Sequence, residues 1–180
     1  MNYELNSIAA TRRSIRKYDP TRPVTDAELL EVIRFAQEAP SWKNKQTSRY
    51  YVARTPEAIT AVRSAFATGN FGKTEGVGAL VVTTFKHNIV GFNLEGQPDN
   101  EGGNGWGWYD LGLQGAYFLL KAAEIGLDTL VIGIRDADIL RRMMNIPADE
   151  TVGAVIAVGH RVEDAVRPPR IPTEDIAVFL

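Results

Sequence analysis

WYDLGLQGAYFLLKAAEIG, residues 108–126, is apolar on almost every side and runs without a proline to its closing Gly126. A surface helix shows one apolar stripe, whereas a helix that is hydrophobic all round belongs inside a large core or at a subunit interface. Gly112, Gly115 and Ala116 fall on or near one flank and leave room for another helix to approach. Directly behind it comes DTLVIGI, residues 128–134, which reads as a strand or extended segment. Helix and strand here alternate loosely, which makes the class α/β or α+β.

Working outward from this stretch, ADILRRMMN reads as a short helix and TVGAVIAVGH as a second buried strand. The tail RPPRIPTEDIAVFL is proline-rich and then apolar, with no partner nearby in sequence. Residues 171–180 are therefore expected to pack on a remote surface, such as that of another subunit. Toward the N-terminus, NLEGQPDNEGGNG, at the start of the stretch from Asn93 to Gly107, is dense in Gly and Asn. A loop of that length in a compact domain is functional or disordered, and it is the candidate lid. GALVVTTF, residues 78–85, is a nearly continuous apolar run of strand type, consistent with burial on both faces. TPEAITAVRSAFA opens with a Thr cap and a first-turn proline, so it is a helix. RYYVAR is a short strand, and SWKNKQTS before it a polar loop. In PVTDAELLEVIRFAQEAP, Thr25 and Glu28 form a capping box, Leu29, Leu30, Val32, Ile33 and Ala36 keep helical spacing, and Pro40 ends the helix. No repeat or linker divides residues 1–180, so one domain is expected.

The 180 residues suffice for a sizeable core, and a net charge of −2 provides no global field for nucleic acid or an anionic membrane. Cysteine is absent, which excludes disulfides, thiolate metal sites and cysteine nucleophiles. With only His87 and His160, far apart in sequence, neither a zinc site nor a histidine relay is expected. No apolar run has the character of a signal peptide or the length of a spanning helix, so a cytoplasmic location is expected.

Against this slightly acidic background, TRRSIRKYDP, residues 11–20, gathers Arg12, Arg13, Arg16 and Lys17 around Ser14. Alone it reads equally well as a solvated charged turn. The residues Asn6 to Ala9 suggest a short helix that delivers the cluster, and guanidiniums mixed with a hydroxyl suit a phosphate. In APSWKNKQTS, Asn44 and Gln46 follow Pro40 and Ser41. Two residues apart in an extended loop, they point to one side and can together read the edge of a heterocycle. GNFGK sets Asn70 and Lys73 among glycines, and RPPRIP carries Arg167 and Arg170.

In these four segments the chain resembles the nitroreductase family of FMN-dependent oxidoreductases. RRSIRKYDP is similar to that family's R-x-S-x-R opening and APSWKNKQ to its A-P-S-x-x-N-x-Q segment. AAEIGLDTLVIGIRD followed by MNIPADETVGAVIAVGHR resembles its later helix, flavin-edge turn and strand. The resemblance implies an α+β three-layer fold with a mostly antiparallel sheet flanked by helices, in an intertwined homodimer with FMN at the interface. It further implies NAD(P)H as the reductant, with a nitroaromatic, quinone or activated alkene as acceptor in a ping-pong cycle.

Carried over by position, Arg12 pairs with the FMN phosphate, Arg13 stands beside it, and Ser14 hydrogen-bonds near the ring or ribityl chain. Arg16 faces the N1–O2 edge, and Asn70 and Lys73 the pyrimidine side. Pro40, Ser41, Asn44 and Gln46 come from the other subunit or the ring's far edge. Gly133 offers its backbone N–H to flavin N5, and Arg170 completes the phosphate site. No side-chain acid or base is implied. The chain departs from the family at Thr129-Leu130-Val131, where many relatives have Thr-Cys-Trp, and at Ile134-Arg135, where they have a second glycine. Arg135 is thereby expected to narrow or recharge the substrate cavity, with Trp106 as a substrate neighbour and Trp108 packed in the core. The alternatives are a specialised branch, for reductive dehalogenation or flavin fragmentation, and a flavin-storage protein without turnover.

Overall fold

The computed structural model describes residues 5–180. Helix α1 (Leu5–Thr11) delivers the basic segment, and α2 (Asp26–Ala36) follows. The expected capping box is complete: the Thr25 hydroxyl accepts from the Glu28 N–H at 3.2 Å, and the Glu28 carboxylate accepts from the Thr25 N–H at 2.8 Å. Strand β1 (Ser48–Ala53) and helix α3 (Pro56–Arg63) come next, the latter capped by Thr55. The short helix α4 (Thr68–Phe71) leads into a 3₁₀ turn at Gly72–Thr74. Strand β2 (Ala79–Lys86) is buried at every residue but the last, as its unbroken apolar run requires. Helix α5 (Gly105–Glu124), β3 (Asp128–Ile132), α6 (Ala137–Met143) and β4 (Glu150–Gly159) complete the fold.

The four strands form one antiparallel sheet in the order β1-β2-β4-β3. Because side chains alternate along a strand, β2 sends Leu80 and Val82 to one face and Ala79 and Val81 to the other. The first pair packs with Val62, Leu140, Leu130, Val155 and Ala157 beneath α3 and α6. The second packs with Val32, Phe118, Ala122, Ile156 and Val158 beneath α2 and α5. The architecture is α+β in three layers, and it matches the expectation.

Helix α5 starts three residues earlier than its apolar pattern begins, so Trp106 sits in its first turn rather than on a free loop. Gly107 makes this entry possible, since a Cβ there would collide with the Phe85 ring. A register shift between Val82 and Thr84 interrupts the β2–β4 ladder. At this bulge the Thr83 hydroxyl replaces a ladder partner, donating to Ala154 O at 2.9 Å and accepting from Ala154 N–H at 3.2 Å. The tail beyond Val166 lies open, with Ile176, Val178, Phe179 and Leu180 all exposed. Among the described residues no helix is long and apolar enough to cross a membrane, and no cluster of His, Asp or Glu is placed to hold a metal.

Candidate functional site

The basic segment owes its position to two apolar anchors. Ile15 and Tyr18 are buried in the core, and the Tyr18 hydroxyl donates to Ile15 O at 2.9 Å. Ile15 N–H donates to Thr129 O at 3.0 Å, and Ser14 bridges Thr129 in parallel, so residues 14–15 line the outer edge of β3. With Ile15 and Tyr18 turned inward, Arg16 and Lys17 are left facing out. The concentrated charge is thus held on the fold and is not a loose turn.

Arg16 and Lys73, distant in sequence, line one pocket of about 390 Å³ whose other charged groups are Lys17 and Glu75, so its walls carry three cations and one carboxylate. Ser14 and Arg16 open onto a second, of about 220 Å³. Lys73 Nζ donates to Asn70 Oδ1 at 3.2 Å, and Asn70 Nδ2 to Ile134 O at 3.2 Å. These bonds tie the short helix α4 to the turn that carries the exposed Gly133. Ser14, Arg16, Asn70, Lys73 and Gly133 are therefore neighbours along one border of the sheet.

Above them stands an arginine cluster. The Arg13 guanidinium folds back on the end of α1, donating to Arg12 O and Ala10 O at 2.6 Å each. Desolvation, then the like charges of Arg167, Arg170, Arg12 and Arg161, lower its pKa from the ordinary value. Arg161 is neutralised by Asp128 at 2.6 Å and Asp164 at 2.9 Å. Among the described residues, Arg12, Arg13, Arg167 and Arg170 make no ion pair with a carboxylate. Cations crowded without counterions favour a bound dianion, so this cluster fits a phosphate ester.

The other expected contacts lie elsewhere. Pro40, Ser41, Asn44 and Gln46 precede β1, at the opposite edge of the sheet. Ser48 pairs with Phe85, while Thr129 and Ala79 both pair with Val158. Four strand spacings across and the length of β2 along put Ser14 roughly 28 Å from Ser48, at about 4.8 Å per strand and 3.3 Å per residue. Within one chain the two groups do not meet.

The loop itself is not extended, which corrects the premise that Asn44 and Gln46 share a side by alternation. Lys43, Asn44 and Gln46 are left-handed, with φ of 47°, 54° and 50°. They converge by another route, because Gln46 Nε2 donates to Asn44 Oδ1 at 3.0 Å. That bond leaves the Asn44 amide N–H groups and the Gln46 carbonyl for a ligand. Non-glycine residues held at positive φ cost free energy and cluster at binding sites.

Arg135 also differs from expectation. It donates from Nε to Gly153 O at 2.8 Å and from Nη2 to Val152 O at 2.7 Å. The β3 ladder on β4 ends at Ile132 and Val155, and the guanidinium is turned inward onto these carbonyls just beyond it rather than into an open cavity. Trp106 is half-buried, its indole N–H donating to Asn100 Oδ1 at 2.7 Å and its ring 4.6 Å from that of Trp42. Trp108, expected in the core, is 47% exposed and meets Phe85 only edge-on.

The stretch before α5 is tied down rather than free. Asn88 and Asn104 exchange hydrogen bonds of 2.7 and 2.8 Å, and Lys43 meets Asp99 at 3.4 Å. The model of the nitroreductase family matches residues 9–160. The chain belongs to the nitroreductase family. Among its relatives, a NADH dehydrogenase of Thermus thermophilus is 25% identical over 198 residues, spanning 98% of this chain and 96% of that one. An enone reductase of CLA biosynthesis from Lactiplantibacillus plantarum is 31% identical over 81 residues, 45% of this chain and 37% of that one. A nitroreductase-type structure from Exiguobacterium sibiricum, solved in complex with FMN, superposes with a TM-score of 0.82 at 20% identity, covering 100% and 99% of the two chains.

Two residues of this candidate site escaped the sequence reading. Arg161 joins Arg167 and Arg170 beside Arg13, and it was visible as a basic residue after the last strand. Asp110 is buried to 3% exposure, and its carboxylate accepts from the Trp42 N–H at 3.0 and 3.2 Å. Desolvation raises its pKa, opposed by that hydrogen bond. Its signal in the sequence was a lone carboxylate inside a helix otherwise apolar at that level.

Proposed function

We infer that two copies of this chain together hold FMN and act as an NAD(P)H-dependent oxidoreductase on a small oxidised acceptor. The observation that carries this is the shared pocket of Arg16 and Lys73 beside four arginines that, among the described residues, have no carboxylate partner. The cluster of Arg12, Arg13, Arg167 and Arg170 takes the phosphate, with charge-assisted hydrogen bonds. Ser14 orients the adjoining polyol, and Asn70, held by Ile134 and Lys73, presents a fixed amide. Arg16 and Lys73 place positive charge where the pyrimidine edge becomes anionic, which favours the reduced form. Gly133, exposed at the end of β3, offers a backbone N–H. The Pro40–Gln46 loop reaches this site from the second copy, because in its own chain it lies at the far edge of the sheet.

When bound, FMN supplies the hydride chemistry that links nicotinamide oxidation to reduction of a nitro compound, quinone or activated alkene. The protein's task is then position, charge and exclusion of water, which accounts for a site without histidine. The two substrates take turns at one face in a ping-pong order. An activated alkene is supported as acceptor by the enone reductase relative. A storage role without turnover would need nicotinamide access to be blocked, and the Arg135 guanidinium, turned onto β4, does not supply such a block.

The test is an FMN titration of the purified protein and its Arg12→Ala variant. Loss of about 1.5–3 kcal/mol of binding is expected, the scale of one hydrogen bond to a charged group. Equal affinity in the two proteins would contradict the phosphate assignment.

A further inference from the structure

The Pro40–Gln46 loop must be held in a costly shape. Lys43, Asn44 and Gln46 all sit in the left-handed region, at roughly 1–2 kcal/mol for each such non-glycine residue. Within the loop, the Ser41 hydroxyl accepts from Gln46 N–H at 3.1 Å, Asn44 N–H donates to Ser41 O at 2.9 Å, and Arg49 Nη1 donates to Gln46 O at 2.9 Å. These bonds set the loop's internal shape and tie its end to β1 through Arg49, while Lys43 on Asp99 and the Trp42 ring on Trp106 hold its outer side.

The backbone of the loop takes a further constraint from the middle of α5. Trp42 begins a 3₁₀ turn at Trp42–Asn44 whose preceding residue, Ser41, makes no side-chain cap. The orphan Trp42 N–H finds both carboxylate oxygens of Asp110 instead, across 68 positions of sequence. One turn further along α5, Gln114 Oε1 accepts from the Tyr50 hydroxyl at 2.9 Å. Helix α5 thus presents two buried polar side chains, four residues apart, to the loop and to β1. Asp110 has no cation partner among the described residues, and its recorded donor is that one backbone N–H. A buried carboxylate without a cation is expensive, and a fold that needed only stability would be better served by a neutral residue here.

We propose that Asp110 is a positioning residue: it caps the Trp42–Asn44 turn from a distant helix and so fixes where Asn44 and Gln46 meet the cofactor. This rests on the reading of that loop as an FMN contact. Asp110 touches no ligand itself and acts through the backbone of Trp42. An asparagine in its place keeps one acceptor oxygen for the Trp42 N–H, whereas alanine keeps none.

The experiment compares wild type, Asp110→Asn, Asp110→Ala and Arg12→Ala as full-length proteins. Melting temperature is read without FMN, and FMN affinity by fluorescence quenching. Asp110→Ala is expected to weaken FMN binding tenfold or more, about the value of one hydrogen bond to a charged group. Asp110→Asn should restore affinity to within about threefold. It should melt no lower than wild type, because burial makes the ionised carboxylate a cost to the folded state near neutrality. Affinity unchanged in Asp110→Ala while Arg12→Ala loses it would overturn the proposal and leave the FMN reading standing. So would an Asp110→Asn protein of normal melting temperature that binds as weakly as the alanine variant. Wild type that binds no FMN would overturn both.

Discussion

Ile15 N–H lies 3.0 Å from Thr129 O, and this bond sets the basic segment along the outer edge of β3. From it follows the placement of Arg16 in the pocket it shares with Lys73. Each cation should stabilise the reduced cofactor, so Arg16→Ala and Lys73→Ala are both expected to lower the flavin midpoint potential. The drop should be roughly 20–60 mV, equivalent to about 1–3 kcal/mol on a two-electron couple. Spectroelectrochemical titrations that overlay wild type would remove the pyrimidine-edge role from whichever residue gave them.

Asp128 accepts from Arg161 N–H and Nε at 2.8 Å each, and from Nη2 at 2.6 Å. The carboxylate is nearly buried at the start of β3, and the guanidinium is partly open to solvent. Asp128→Ala should therefore cost about 2 kcal/mol of folding stability, less than a fully buried pair because solvent screens the orphaned charge. Urea denaturation measures this, and a midpoint equal to wild type would show the brace to be idle.

The capping box of α2 carries a pH signature. Burial pushes the Glu28 carboxyl up, but two hydrogen bonds from Thr25 outweigh it and the net pKa falls below the ordinary 4.5. A depressed folded pKa means stability that is present above the unfolded value and is lost as pH falls through the folded one. Thr25→Ala should thus destabilise by about 1 kcal/mol at pH 7, with the difference shrinking below about pH 4. A difference that stayed constant from pH 7 to 3 would show that the glutamate takes no part.

Assembly can be separated from folding. A Cβ at Gly112 meets nothing within 4 Å, and Gly112 lines a groove of about 330 Å³ with Trp108, Leu119 and Val131. Gly112→Leu and removal of residues 171–180 should each leave the single-chain fold intact while shifting the protein toward monomer and weakening FMN retention. Light scattering with circular dichroism distinguishes these effects. Both variants remaining paired would place the interface elsewhere.

Much of this was legible in local pattern. The Thr25–Glu28 box, the apolar run of β2 and the glycine after α5 each specify an element through near-neighbour physics, and each forms where expected. The candidate site residues came from a family resemblance, and the fold brings Ser14, Arg16, Asn70, Lys73 and Gly133 to one border of the sheet while it leaves Pro40, Ser41, Asn44 and Gln46 at the other. What was illegible depends on contacts between distant segments. The inward turn of Arg135 depends on the Val152 and Gly153 carbonyls lying just past the end of the β3 ladder, which no pattern at Arg135 announces. The early start of α5 depends on Gly107 fitting under Phe85. The bond from Trp42 N–H to Asp110, 68 positions away in a helix, has no counterpart in the local pattern of the loop that carries the left-handed Asn44 and Gln46.

The central claim is that this chain binds FMN and passes electrons through it. Its most direct test is the visible absorbance of the purified protein, with FMN added if needed, recorded anaerobically before and after NADPH and then NADH. A flavin band retained through gel filtration and bleached by at least one nucleotide is the expected result. No retained band after incubation with FMN, or a bound flavin that neither nucleotide reduces, would contradict the account.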